Sequence, residues 1–214
     1  MAQLVLPHHQ KASAPTSAPE AIDQLVQTRV RFMKRQSQPT YLLQQTLKRL
    51  GDILLAGMGT LLISPVLMLI SLLIWLDSRG PVFYLSERIG KNYQPFKMVK
   101  FRTMVVDADA QRDQLREEAN LNGELFKIQN DPRITRLGQF LRATSLDELP
   151  QLFNVLAGHM SLVGPRPLPP DESHLFEEPY TLRYQVIPGM TGMWQVNGRS
   201  TTDFRSLCEL EMKY

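Results

Sequence analysis

Residues Ile53 to Leu76 read ILLAGMGTLLISPVLMLISLLIWL, 24 positions without a charge. At ~1.5 Å of rise per residue, a helix of that length covers the ~30 Å hydrocarbon core of a bilayer. Leu, Ile, Met and Val surround its whole circumference instead of forming one stripe, so the segment is either solvated by lipid or buried on every side. A cleaved signal peptide does not fit, because the run begins deep in the chain and is too long. The mean hydropathy of −0.21 over the whole chain describes a soluble protein, and that average conceals this one segment.

Near its middle stands Ser64-Pro65. Proline removes a backbone donor and crowds the carbonyl four residues earlier, so a kink is expected. The flanks then bear on direction. Arg29, Arg31, Lys34, Arg35, Lys48 and Arg49 precede the segment, and Arg79, Arg88, Lys91, Lys97, Lys100 and Arg102 follow it. A straight span would place one basic cluster outside, whereas a helix broken at Ser64-Pro65 that dips in and returns keeps both in the cytoplasm. The expectation is therefore a re-entrant membrane hairpin, with a proline-kinked spanning helix as the alternative.

Outward from this segment the chain falls into three parts. Residues 1–40 are rich in Ala, Ser, Gln, Thr and Pro and read as a flexible extension, with a short helix expected around 21–34. Residues 41–79 combine an amphipathic, interfacial lead-in (YLLQQTLKRLGD) with the membrane helix. Residues 80–214 form the soluble domain. There, Val82 to Leu85 and Phe96 to Phe101 are β-rich runs around a turn-prone Gly90 to Pro95, which predicts a small hairpin. Residues 105–120 are polar and helix-forming, and beyond them helical patches alternate with turns, so the fold class is α+β and mostly helical. The 24 Lys and Arg nearly balance 21 Asp and Glu, and a net charge of +3 is too small to indicate nucleic acid. A single cysteine, Cys208, excludes a disulfide framework within the chain and fits a reducing compartment.

Four clusters could carry chemistry. Asp147 and Glu148 are adjacent carboxylates in ATSLDELPQ. Ser145 with Glu148 three residues later also reads as a capping box, and acidic residues suit a first helical turn. Arg133, Arg136 and Arg142 before the pair and Arg166 after it change the balance, because arginine forks suit phosphate. Adjacent carboxylates among arginines can hold a divalent cation while one oxygen attacks phosphorus. The second cluster is Lys97, Lys100 and Arg102; on a strand Lys100 and Arg102 share one face. The third, Gly164-Pro165-Arg166-Pro167, presets an arginine between prolines. In the fourth, PGMTGMWQVNGRS, glycines permit tight turns and Trp194 or Arg199 could meet a nucleotide.

In this order the motifs resemble the bacterial sugar transferase family, the monotopic phosphoglycosyl transferases. The matching residues are Lys48-Arg49-Gly51-Asp52, Ser64-Pro65, Lys100 to Met104, Asn130 to Thr135, Leu141-Arg142, Thr144 to Gln151, Ser161 to Pro167 and Pro188 to Gly192. They span roughly residues 46 to 210, and the long SLDELPQ and SLVGPRP strings are specific.

The resemblance implies a two-step transfer at the cytoplasmic face of the bacterial inner membrane, at the start of exopolysaccharide or glycan assembly. Asp147 would attack the β-phosphate of a UDP-sugar, release UMP and hold the sugar phosphate covalently. Polyprenol phosphate, expected to be undecaprenyl phosphate, would then accept it. Glu148, with Asp147, is implied as a Mg²⁺ ligand. Arg142, Arg166 and Arg199 are the implied phosphate and nucleotide contacts, with Lys100 and Arg102 as weaker candidates. The resemblance also supports the re-entrant hairpin at Ser64-Pro65. Two departures stand beside it. The chain stops at LCELEMKY, short of the family's usual aromatic-rich tail, so a shortened C-terminus is expected; and residues 1–40 lie outside the resemblance. The competing function is a catalytically weak membrane scaffold for a glycan assembly complex, which the intact Asp147-Glu148 pair disfavours. The sugar remains open, as does self-association into a homo-oligomer.

Overall fold

A computed structural model describes residues 27, 30, 34, 38–108, 110–111, 131–171 and 180–196. Within residues 21–34 only Gln27, Val30 and Lys34 are described, and they are helical. Most of the helix expected over 105–120 lies outside the described residues; its described start, residues 106–108 and 110–111, is turn. The chain divides into two units, residues 1–42 and 43–214. The architecture below concerns the second.

Helix α1, Pro39–Asp77, is 39 residues long, so the lead-in and the apolar segment are one element. Pro39 occupies the first helical position, where a missing amide costs nothing. The break expected at Ser64-Pro65 is not found: the helix runs through it, with Pro65 inside. Proline deprives the Leu61 carbonyl of its amide partner, and the Ser64 hydroxyl donates to that carbonyl at 2.8 Å instead. Thr60 and Ser71 likewise donate to the carbonyls of Ala56 and Leu67, each at 2.7 Å. The hydroxyls of the apolar segment are thus satisfied within the helix, as a lipid environment requires.

Only one stripe of α1 is covered by protein. Asp52, Ala56, Leu67, Ile70 and Ile74 are buried and Ile63 packs beside them; at 100° per residue all six fall within roughly 60° of arc. The remaining circumference is bare, with Leu61 and Leu62 78% and 81% exposed. The most apolar 18-residue window is just 17% buried, which rules against the core helix of a soluble protein. By length and composition this helix can cross a membrane.

Strands β1, Phe83–Ile89, and β2, Pro95–Phe101, form the expected antiparallel hairpin, with Ser86 opposite Met98. The first strand extends four residues beyond the run read from sequence. A 3-10 turn, Lys91–Tyr93, joins them, with Asn92 and Tyr93 at positive φ. Helix α2, Arg136–Ala143, begins where the Thr135 hydroxyl accepts from the Gly138 amide at 2.9 Å. A 3-10 turn, Leu146–Glu148, leads through Leu149-Pro150 into α3, Gln151–Ala157. Strand β3, Ser161–Val163, pairs in parallel with β4, Gly189–Thr191; a 3-10 turn, Tyr180–Gln185, precedes β4, and the short helix α4, Met193–Val196, follows it. Gly164 and Gly189 lie so close at this pair that a Cβ on either would run into backbone.

Two apolar clusters hold these pieces to α1. Ala56 packs with Met98, Leu152, Val155 and Met160, while Leu67, Ile70 and Ile74 pack with Phe101 and Leu141. Polar clamps fix the register. Asp52 is buried and accepts from the Ser161 hydroxyl at 2.7 Å, the Leu162 amide at 3.1 Å and Lys48 at 3.3 Å. One turn away, Arg49 donates to the Val155 and Leu156 carbonyls at 2.6 and 2.9 Å, satisfying the C-terminus of α3. These two side chains account for the polar residues at the head of an otherwise apolar helix.

Candidate active site

Asp147 and Glu148 lie in the 3-10 turn between α2 and α3. The capping box read from Ser145 and Glu148 is not formed: Ser145 takes a left-handed conformation, φ 59, and its side chain caps nothing. A left-handed residue there turns the chain sharply, so the pair is presented on a tight corner instead of the first turn of a regular helix. Pro150 and Leu141 are buried beneath it, and Asp147 itself is only 8% exposed.

Asn154 brings a cation to this corner. Its carboxamide donates to the Lys97 carbonyl and accepts from the Val99 amide, both at 2.8 Å. Those groups lie on the β2 edge away from β1, so one buried side chain substitutes for a neighbouring strand and locks α3 against β2. Lys100, one residue further, consequently reaches the turn: its Nζ donates to Glu148 Oε1 at 2.9 Å and stands 4.0 Å from Asp147 Oδ2. Arg166 lines the same cavity as Lys100 and Glu148. Its backbone is held by Arg183, which donates to the Arg166 carbonyl, and by the Gly189 amide on the Pro165 carbonyl at 2.8 Å.

Electrostatics at the corner are set by burial. Desolvation pushes the Asp147 carboxyl above the usual carboxylate range, the Glu148 charge adds to this, and Lys100 and Arg142 oppose it. Lys100 is held below the usual lysine range, again chiefly by desolvation, with Glu148 and Asp147 opposing. A carboxylate poorly solvated by water and steadied by neighbouring cations is suited to nucleophilic attack.

The other expected cations fare differently. Arg142 projects from the end of α2, donates to the Thr103 hydroxyl at 2.8 Å and acts on Asp147 through its charge. Arg102 does not share a working face with Lys100. Strand β2 ends at Phe101, and the Arg102 guanidinium turns to Ser78, donating to its hydroxyl at 2.8 Å and to its carbonyl. It is buried and ties down the C-terminal end of α1, while its Nη1 is buried without a hydrogen-bond partner among the described residues. Arg133 is likewise consumed structurally, by bonds of 2.9 and 2.6 Å to Asp131. Arg199 and the side chain of Trp194 lie outside the described residues, as does Asn130. Sequence reasoning missed Asn154, read Lys48 and Arg49 only as a basic flank, and did not foresee that they and Asp52 clamp α1 to β3 and α3.

A model of the bacterial sugar transferase family matches residues 43–214, which includes α1, the hairpin and the carboxylate turn. The exopolysaccharide production protein ExoY of Rhizobium meliloti is 41% identical over 174 residues, covering 78% of this chain and 76% of ExoY. The UDP-glucose:undecaprenyl-phosphate glucose-1-phosphate transferase of Escherichia coli K12 is 45% identical over 172 residues, 78% of this chain and 35% of that protein. The undecaprenyl-phosphate galactose phosphotransferase of Salmonella typhimurium LT2 is 42% identical over 162 residues, 74% of this chain and 34% of the relative. The chain thus spans about a third of the length of those two transferases and about three quarters of ExoY. With the family match reaching from the head of the apolar helix across every element of the carboxylate corner, the chain belongs to the bacterial sugar transferase family.

Proposed function

We propose that the protein transfers a sugar 1-phosphate from a UDP-sugar to polyprenol phosphate through an aspartyl intermediate on Asp147. The observation that carries this reading is the buried Asp147-Glu148 turn with Lys100 at 4.0 and 2.9 Å and Arg166 on the same cavity, in a chain whose longest helix is bare and apolar. Relatives named for UDP-glucose and undecaprenyl phosphate support the substrate classes.

In the first step an Asp147 carboxylate oxygen attacks the β-phosphorus. The bond to the bridging oxygen breaks, and UMP leaves with the electron pair. Lys100 and Arg166 are placed to balance charge on the phosphoryl oxygens, and such preorganised charge is commonly the largest catalytic contribution. In the second step a phosphate oxygen of the polyprenol attacks the same phosphorus and displaces the Asp147 carboxylate, giving a polyprenyl diphosphate sugar. The corner is built to exclude water from Asp147, which protects the acyl phosphate from hydrolysis.

Asp147 and Glu148 also fit a Mg²⁺ site, because this cation is usually held by one or two carboxylates together with substrate phosphates. Among the described residues no group of three or more His, Cys, Asp or Glu side chains could hold a metal ion. Mg²⁺ bound there would supply neutralisation of diphosphate charge. Within that frame Lys100 keeps Glu148 oriented.

The bare circumference of α1 supports residence in the bilayer, and the basic residues on both flanks support a re-entrant, monotopic placement on the cytoplasmic face. Because α1 runs through Pro65 as one helix, the return requires it to break at Ser64-Pro65 in the bilayer, where proline already removes one backbone hydrogen bond. Anchoring keeps the carboxylate corner at headgroup depth, where the phosphate of a polyprenol lies. The test is UMP release from UDP-sugars by the protein in lipid nanodiscs with Mg²⁺ and undecaprenyl phosphate. Asp147→Asn is expected to abolish release while the protein still folds and unfolds cooperatively, and wild-type turnover in that variant would overturn the assignment.

A further inference from the structure

The β1–β2 hairpin brings to the carboxylate corner a residue that neither the sequence motifs nor the proposed mechanism uses. In the strand register Tyr84 stands opposite Lys100. Directly opposed residues of an antiparallel pair point to the same face, with Cβ atoms about 4.5–5.5 Å apart. From that face Lys100 reaches Glu148 Oε1 at 2.9 Å and comes within 4.0 Å of Asp147 Oδ2. Tyr84 therefore lies on the face of the hairpin that serves the corner. One pair further along the same face, Ser86 and Met98 are buried, whereas Tyr84 is 43% exposed. The Tyr84-Lys100 pair thus forms the rim of this face, where a ligand can reach it from solution.

Electrostatics gives the direction of the phenol. Burial holds the Arg142 guanidinium below its usual range, and the groups that oppose this are Asp147, Asp131 and Tyr84. A phenol turned away into open water would be screened from Arg142. Arg142 in turn acts on Asp147. The Tyr84 hydroxyl, the Lys100 ammonium and the Arg142 guanidinium are accordingly grouped around one carboxylate. Both cations also serve protein partners, Lys100 on Glu148 and Arg142 on the Thr103 hydroxyl. Tyr84 adds a neutral donor, and a phosphorus bonded to Asp147 would carry its free oxygens among these three groups. Phosphoryl transfer spreads charge over those oxygens, so each further donor aimed at them contributes.

We propose that the Tyr84 hydroxyl donates to an oxygen of the phosphoryl group being transferred, which makes Tyr84 a substrate contact of the carboxylate corner. This rests on the function proposed above, in which that group is the β-phosphate of the donor and stays at Asp147 through both steps. The phosphates of UMP and of the polyprenol each take part in only one.

Tyr84→Phe deletes the O–H and keeps the ring, and thermal unfolding checks that the variant folds. The full chain in nanodiscs with Mg²⁺ is titrated by calorimetry with UDP, which carries a β-phosphate, and with UMP, which does not. UMP release is measured with UDP-glucose and UDP-galactose. The variant is expected to bind UDP roughly fivefold more weakly, the worth of one neutral hydrogen bond, with its affinity for UMP unchanged. Its kcat/KM for UMP release should fall about tenfold or more, and transfer from the sugar-phosphoryl enzyme to undecaprenyl phosphate should slow as well. Equal losses for UDP and UMP, or no loss for either, overturn the proposal. So does a variant slowed only in the transfer to undecaprenyl phosphate, which would assign the hydroxyl to the lipid phosphate. Wild-type protein that releases no UMP would sink the transferase reading instead, and the comparison of UDP with UMP would still decide the Tyr84 contact.

Discussion

Replacing Lys100 with methionine removes the cation nearest Asp147 and keeps most of the buried stem. The separation of 4.0 Å gives about 4 kcal/mol at an effective dielectric of about 20. Observed shifts from one opposite charge at this range are about 1–3 pKa units, or roughly 1.4–4 kcal/mol. The sign follows from the causes: burial raises the Asp147 pKa and Lys100 lowers it, so deleting Lys100 raises it further. A nucleophile must be ionised, and kcat/KM for UMP release therefore falls on the acid side as pH drops through the Asp147 pKa. In Lys100→Met this acid limb should move up by about 1–3 pH units, while Lys100→Arg, which retains charge, should leave it near the wild-type position. Because the Lys100 pKa is itself held down by burial, the wild type should also lose activity on the alkaline side below the ordinary lysine range; the arginine variant should not. The assay is a pH profile of UMP release at subsaturating UDP-sugar. An acid limb in Lys100→Met that coincides with the wild type would refute the electrostatic account of this corner. Stability should run the opposite way: a raised carboxyl pKa stabilises the fold below the unfolded value and loses that contribution as pH rises through the folded one.

Asp52→Ala should cost about 1–3 kcal/mol of stability, since it leaves the partly buried Leu162 amide without its acceptor, while Ser161 and Lys48 keep each other and the Val163 carbonyl; thermal unfolding in nanodiscs reads this, and no change would contradict the clamp. Gly138→Ala should destabilise by about 1–3 kcal/mol or more, because the new Cβ would stand 2.9 Å from Thr103 Cα and closer to its carbonyl, with no flexible side chain to yield. The Asp131 carboxyl is lowered by its bonds to Arg133, so its contribution is present above the unfolded pKa and lost as pH falls through the folded one. Wild-type protein should therefore lose more stability on acidification below about pH 4 than Asp131→Asn does, measured by unfolding midpoints. Ser64→Ala should leave membrane insertion intact but cost about 1 kcal/mol, because the Leu61 carbonyl loses the Ser64 hydroxyl that replaces the missing Pro65 amide; equal melting temperatures would refute that role.

Those predictions rest on contacts of very different legibility. The β1–β2 hairpin could be read from sequence because alternation and turn residues act over neighbouring positions, and the register followed from a connection only a few residues long. The parallel β3–β4 pair could not, since three-residue strands far apart in sequence carry no periodicity of their own. Reading Lys100 and Arg102 as partners applied a strand's two-residue alternation one residue too far: the strand stops at Phe101, and Arg102 belongs to the end of α1. At Pro65 the helix continues where the sequence predicts a break. Proline's cost to a helix is local and real, but the adjacent serine meets it locally too.

By itself the sequence determined the 24-residue apolar run, the hairpin, the α+β class and, through long specific strings, the family and its carboxylate pair. All of these are properties of contiguous residues, where composition and spacing carry the physics. Tertiary structure alone decided which cations stand beside the carboxylate pair. Lys100 meets Glu148 across 48 positions because Asn154 mimics a strand edge, whereas Arg102 and Arg133 are taken up by Ser78 and Asp131. It also decided which face of the long helix is covered, since a segment apolar all round has no preferred side until Met98, Phe101, Leu141 and Val155 are brought against it. Charge and hydrophobicity are written residue by residue, but the partner that gives each one its energy is chosen only when distant segments close.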